Sequence, residues 1–328
     1  MQLQQLMKML SMIDQLLKGK GLIAFSDPGG AKACLAVGEK LTGEEVILVS
    51  DRQYPFFSDF SVNVIPSQDN IEHLFSHQID YVYTGTSSPE RIELKILKEA
   101  RKRKITSFSF VDHWTNMRKR FIDSSGDLIL PDKVCVIDKR AKTIAINDGI
   151  DKNIIVITGN PYHEWLLTWK PKISRLEFLE NVGLIGNSHK LVVFAPDPIS
   201  NVNGKDAYGF DEYSATKILT ALFDTYKTEL AEWNVLIKSH PNQNNEKLYE
   251  MIQHNKSFVF LPSEIDTNSL IYYSDIIIGF FSSFLIEASI LNKTILRLLP
   301  DNLIKDPIAP LNIGKIVNKN QLLEELIK

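Results

Sequence analysis

Four stretches of this sequence set polar side chains directly behind apolar runs, and each holds residue types able to do chemistry. In "FVDHWTN", Phe110 to Asn116, a carboxylate stands beside an imidazole. Asp112 and His113 are material for general base catalysis, one taking a proton while the other orients or stabilises. Neighbours on an extended chain point apart, so the two need not touch. The plainer reading has Asp112 bonding loop amides and His113 covering apolar surface with Trp114. In "SDPGGAKA", Ser26 to Ala33, Gly29 and Gly30 let the backbone turn and approach a ligand before a helix opens at Ala31. The alternative is a simple strand-to-helix turn with Asp27 as its cap.

The other two stretches lie in the second half. In "IKSHPNQ", Ile237 to Gln243, Lys238 follows a buried run and Pro241 biases His240 towards an extended backbone, fixing where the imidazole leaves the sheet. Such a histidine can bind a phosphate, though a lone surface histidine explains it equally well. In "GFFSSFLIEA", Gly279 to Ala288, either Ser282 or Ser283 can cap the following helix, worth about 1 kcal/mol. One cap needs only one serine, and a capping box counted from Ser283 wants Glu or Gln where Ile286 stands. Glu287 lies one turn after Ser283 on the same face. Hydroxyls and N–H groups at a helix N-terminus suit an anion, and a carboxylate one turn on suits the hydroxyls of a sugar.

What must position these residues is an α/β scaffold. Short β-rich runs alternate with amphipathic segments along most of the chain, the pattern of parallel sheets. The runs "GLIAFS", "EEVILVS", "VNVIP", "DYVYTG", "ITSFSFV", "KVCVID" and "NIIVITG" fill the first half. "KLVVFAP", "NVLIKSHP", "FVFLPS", "DIIIGF" and "TILRLLP" fill the second, with a long helix running to Trp233 between the first two. The best helical segment, "SPERIELKILKEARKRK", has Pro89 near its first turn and Arg101 to Lys104 at its carbonyl end. At 328 residues the chain exceeds what one core usually supports, so two domains are expected. They are read as residues 1–160, an acceptor-side Rossmann-like domain, and 190–328, a nucleotide-binding Rossmann-like domain, joined by a connection over 161–189. Two such domains in tandem make a cleft, and open parallel sheets bind ligands beyond the carboxyl ends of their strands.

Composition narrows the partners. A net charge of -3 gives no global basic field for nucleic acid. Cys34 and Cys135 lie far apart without metal-ligand spacing, which suits two buried thiols in a reducing compartment. No run approaches the ~20 apolar residues of a bilayer span, and the opening segment lacks the features of a secretory signal. The expected location is cytoplasmic. Leu3, Leu6, Leu10, Ile13 and Leu17 line one helical stripe, either covering the first domain or making peripheral contact at the inner face of the membrane. The basic groups at Arg101 to Lys104 and in "NMRKR" are either solvated helix ends or an attraction for an anionic acceptor.

Taken together, "K-x-H-P" behind one strand and "SD-III-G-x-x-SS-x-x-x-E-A" behind another resemble the donor half of bacterial GT-B glycosyltransferases that build surface polysaccharides. The likeness is to the sialyl- and polysialyltransferase type and the CDP-glycerol transferase type. It implies two Rossmann-like domains facing a cleft, and contacts from His240, with Pro241, and from Ser282 and Ser283 to the phosphate of a cytidine nucleotide donor. Related GT-B enzymes hold the ribose with a glutamate in the same helix, which fits Glu287. The implied reaction is transfer from a nucleotide-sugar to a glycan or lipid-linked acceptor. The acceptor hydroxyl would enter near Asp27 to Gly30 and lose its proton to Asp112 or His113. The sialyltransferase pattern carries an acidic pair followed by glycine in the first domain, and this sequence has none.

No cofactor or metal is expected: Asp-x-Asp, HExxH and CxxC are all missing, and "HEW" at His163 lacks its second histidine. Two other enzymes are weighed, a CDP-glycerol-type polyol phosphate transferase and a nucleotide-sugar 2-epimerase. The epimerase family carries an acidic residue, serine and paired glycines where this chain has "GFFSSF", which ranks it lower. A non-catalytic cytoplasmic nucleotide- or sugar-binding protein is the alternative of another class.

Overall fold

Alternate residues of one strand, Leu191 and Val193 on one side and Val192 and Phe194 on the other, are fully buried. Both faces of that sheet must therefore be covered, the condition of a parallel sheet with helices on each side. The computed structural model describes residues 13, 15–41, 45–68, 70–76, 78–87, 89, 91–184, 190–240, 243–262, 264–300 and 303–328. It divides into two compact units, Met1–Thr168 and Trp169–Lys328.

The first unit holds β1 (Gly21–Phe25), β2 (Val46–Ser50), β3 (Val64–Pro66), β4 (Tyr81–Thr84), β5 (Thr106–Val111), β6 (Lys133–Val136) and β7 (Ile155–Ile157). All pair in parallel, in the order β3-β2-β1-β4-β5-β6-β7. Its helices are α1 (Pro28–Lys40), α2 (Ile92–Arg103), α3 (Lys139–Asn147) and α4 (Pro161–Thr168). α4 joins this unit by packing on α1, where Trp165 Nε1 donates to Glu39 Oε2 at 2.5 Å and Lys40 pairs with Glu164 at 3.3 Å. Of the leucine stripe at the chain's start, Ile13 and Leu17 are buried and the rest lies outside the described residues.

The second unit repeats the plan with β8 (Lys190–Ala195), β9 (Trp233–Ile237), β10 (Phe258–Phe260), β11 (Ile276–Gly279), β12 (Thr294–Leu298) and β13 (Lys315–Val317). The order is β10-β9-β8-β11-β12-β13, again all parallel. Its helices are α5 (Arg175–Asn181), α6 (Gly204–Tyr208), α7 (Glu212–Thr225), α8 (Asn245–Ile252), α9 (Thr267–Tyr273), α10 (Ser283–Ile290) and α11 (Lys319–Ile327). Val192 and Phe194 face a core with Leu219 and Phe223 of α7 and Leu322 of α11. Leu191 and Val193 face a second core with Leu270 of α9 and Leu285 of α10. Among the described residues no helix is long and apolar enough to cross a membrane.

Several boundaries differ from the sequence reading. α1 opens at Pro28 rather than Ala31, because proline's fixed φ suits the first helical position and needs no amide there. α2 begins at Ile92, past Pro89. The long helix stops at Thr225, and Trp233 instead opens β9, its indole N–H donating to the Leu326 carbonyl at 2.9 Å. β13 was not anticipated: three residues at a sheet edge, two of them exposed, leave little apolar pattern to read.

Candidate functional site

In each unit the strand order reverses beside the first strand, between β1 and β4 and between β8 and β11. Ligands of open α/β sheets bind outside the carboxyl ends of strands at such a switch point. The polar residues of interest follow those strands and their neighbours.

In the first unit, Asp112 leaves β5 and pairs with Arg120, Oδ1 to Nη1 at 3.2 Å. Its other oxygen rests on the first turn of α1: a Cβ placed on Gly29 would lie 1.8 Å from Asp112 Oδ2. Gly30 is tight as well, since its Cβ would lie 3.2 Å from the Gly85 α-carbon. These glycines therefore sit inside the helix and admit a carboxylate and a backbone, rather than forming a turn ahead of it. Arg120 also reaches the Thr86 carbonyl and hydroxyl, both at 3.4 Å. A residue read only as part of a basic cluster is thus turned inward.

Asp27 stands at the N-cap position of α1 but makes no side-chain cap. Its amide donates to Ser87 Oγ at 3.1 Å, and its carboxylate lies 3.6 Å from Arg52. The Ser87 hydroxyl in turn donates to the buried Glu93 at 2.6 Å. Burial raises Glu93 to about 7. His113 diverges from Asp112: its Nδ1 meets Thr115 Oγ1 at 2.9 Å and its ring meets Trp114 edge-on. Desolvation lowers the His113 pKa against the opposing pull of Asp112, which favours the neutral base.

The second unit brings its candidates to the ends of the two strands that flank β8. Lys238 and His240 follow β9, and the serines follow β11. Lys238 Nζ lies 5.4 Å from the Phe284 ring in the first turn of α10. His240 is half-buried, and burial followed by the Lys238 charge lowers its pKa. Its carbonyl accepts the Gln243 amide at 2.8 Å. Gln243 Nε2 donates to the buried Glu212 at 2.9 Å, which also holds the Ser200 hydroxyl at 2.5 Å. Pro241 lies outside the described residues.

The serine pair separates into distinct roles. Ser282 is the N-cap residue of α10 yet makes no side-chain cap, and its buried Oγ has no partner among the described residues. Ser283 opens the helix and is exposed, whereas Glu287 is buried. The loop carrying them is tied from both sides. Arg297 Nε donates to the Phe280 carbonyl at 2.9 Å, while its guanidinium forks onto Asp306 at 3.0 and 2.5 Å. From β8's loop, Asp197 Oδ2 accepts the Phe281 amide at 2.9 Å.

Asp197, Glu212, Arg297 and Asp306 were missed from sequence. The post-strand rule applied to "FAPDP" finds Asp197, and a lone arginine inside "TILRLLP" signals a buried partner. Glu212 and Asp306 carry no such mark. Among the described residues no group of three or more His, Cys, Asp and Glu is arranged to hold a metal ion.

No family model matches the chain, and no curated protein matches its sequence. Solved structures do match its fold. The UDP-GlcNAc 2-epimerase of Methanocaldococcus jannaschii superposes with a TM-score of 0.66 at 14% identity, covering 94% of this chain and 91% of that one. The Neisseria meningitidis UDP-GlcNAc 2-epimerase bound to UDP-GlcNAc gives 0.61 at 15% identity, covering 94% and 89%. Anabaena HepE in complex with UDP-glucose gives 0.57 at 14%, covering 93% and 88%.

The chain thus has a two-domain α/β fold like that of the GT-B-type UDP-GlcNAc 2-epimerases. This corrects the expectation of a glycosyltransferase. The strong likenesses are to isomerases, and the sialyltransferase and CDP-glycerol transferase resemblance finds no support among them. Short motifs behind parallel strands do not by themselves distinguish the reactions that one fold supports. The glycan or lipid-linked acceptor expected with transfer is likewise without support.

Proposed function

We propose that this chain is a nucleotide-sugar enzyme of the 2-epimerase kind, with a uridine rather than a cytidine nucleotide as its ligand. The observation that carries this is the likeness, over 94% of the chain, to epimerases including one holding UDP-GlcNAc. The second unit supplies the nucleotide site. Ser282, Ser283 and the first-turn amides of α10 meet phosphate, His240 and Lys238 add positive charge or donors, and Glu287 takes the ribose.

Inverting C2 by proton transfer breaks its C–H bond on one face and remakes it on the other, and the electron pair left in between balances only if the diphosphate on C1 departs and then returns. Asp112, oriented by Arg120, is the candidate base, and neutral His113 is the second titrating group. Asp27 orders the loop beside them through Ser87.

The test is incubation with UDP-GlcNAc in deuterated water, followed by proton NMR. A manno-configured product with deuterium at C2 is expected, and Asp112→Asn should abolish both. UDP at about a hundred times its Kd should stabilise the protein by ~2.7 kcal/mol. A thermal shift with CDP and none with UDP would overturn the uridine assignment. Binding of UDP-GlcNAc without exchange at C2 would overturn the epimerase.

A further inference from the structure

At the amino end of α10 the protein already supplies a negative group of its own. Asp197 follows β8, the strand beside β11 in the sheet. Its carboxylate accepts the Phe281 amide at 2.9 Å, one residue ahead of the N-cap Ser282. That amide belongs to the loop in which the buried Ser282 hydroxyl has no partner among the described residues. A phosphate held at the first turn of α10 comes beside this carboxylate, and two neighbouring anions do not both keep full charge.

We infer that Asp197 is a specificity-determining residue of the nucleotide site, competing with phosphate for the serine loop, so that a nucleoside diphosphate enters with uptake of a proton on Asp197. This rests on the nucleotide-site reading above.

The surroundings support it. Burial raises Asp197 to about 6, and Glu212 of α7 pushes the same way. Arg297 of β12 opposes them, but its guanidinium is already forked onto Asp306. From the β9 loop come Lys238 and His240, whose imidazole is held below its ordinary range by burial and by Lys238. An arriving phosphate raises the affinity of both Asp197 and His240 for protons, so two groups can contribute to the uptake. The Asp197 share is separable because it disappears on replacement with asparagine, which keeps an amide acceptor for the loop.

The experiment is titration calorimetry of UDP binding to the whole chain, in buffers of different ionisation enthalpy. It compares wild type, Asp197→Asn and Asp197→Ser. Near pH 7.5 wild type should take up close to one proton more than either variant. Its affinity should fall by up to about tenfold more per pH unit above pH 6 than theirs. Equal uptake in wild type and variants, with UDP bound by all, overturns the inference and leaves the nucleotide site standing. Zero uptake by wild type alone overturns it even if neither variant folds. Absence of UDP binding by wild type and variants between about pH 5.5 and about pH 8 overturns both this inference and the site on which it rests.

Discussion

Asp112 rests on Gly29, its Oδ2 occupying the space a methyl group on that glycine would need. The same carboxylate is held from its other side by Arg120. Gly29→Ala therefore has to push Asp112 off the α1 helix, against a residue itself tied to Thr86. We expect a loss of about 1–3 kcal/mol by urea denaturation. In an Asp112→Ala background the same change should be neutral or stabilising by up to about 1 kcal/mol, since alanine is otherwise the better helix former. Equal effects in the two backgrounds would show that the two residues are not coupled.

Arg297 and Asp306 form the second unit's buried ion pair, with side chains 3% and 14% exposed. Asp306→Ala strands the guanidinium and should cost about 3–5 kcal/mol. Because Arg297 also holds the Phe280 carbonyl, the variant should weaken UDP binding even under conditions where it remains folded. A melting temperature within a degree or two of wild type would contradict the pair's role.

Glu93 gives the first unit a pH dependence of defined sign. Its folded-state pKa is raised from 4.5 to about 7, chiefly by burial, with the Ser87 hydrogen bond opposing. The native state therefore holds this proton more tightly than the unfolded chain. Its stabilising contribution is complete below about pH 4.5 and is lost as pH rises through about 7. Glu93→Gln should remove that slope, leaving the variant more stable than wild type at pH 8 by roughly 2–3 kcal/mol. Parallel stability profiles for wild type and variant between about pH 4.5 and pH 8 would count against it.

Two serines at N-cap positions should behave differently. Ser174 accepts the Glu177 amide at 3.2 Å, so Ser174→Ala should cost about 1 kcal/mol. Ser282 makes no cap, and Ser282→Ala should change stability by less than about 0.5 kcal/mol while reducing UDP affinity. Chemical denaturation and nucleotide titration of the two variants separate structural from ligand-facing hydroxyls. A cost at Ser282 matching that at Ser174 would restore the capping explanation.

The legible part of the site was the set of loops. A polar cluster behind a β-rich run points to the ligand edge of a parallel sheet, and Asp112, His240, Ser282 and Ser283 all follow strands in the structure. The reaction was not legible. "K-x-H-P" and the serine motif are short polar stretches behind strands of a parallel sheet, and one such fold hosts enzymes of different chemistry. The place of the two glycines, within the helix rather than ahead of it, was also not legible, because the chain alone does not show that Asp112, far along it, comes back to their helix.

By itself the sequence determined the alternation of strand and helix, the parallel sheets and the polar loops behind their strands. These follow from periodicity and turn residues within a few positions of one another. Only the tertiary structure decided which charges fill which amides. Asp197 meets Phe281 across 84 residues because β8 and β11 are neighbours, and Asp112 meets Gly29 through the packing of α1 against the strand ends. Such pairings depend on strand order and on which buried groups must find partners, and no local pattern encodes either.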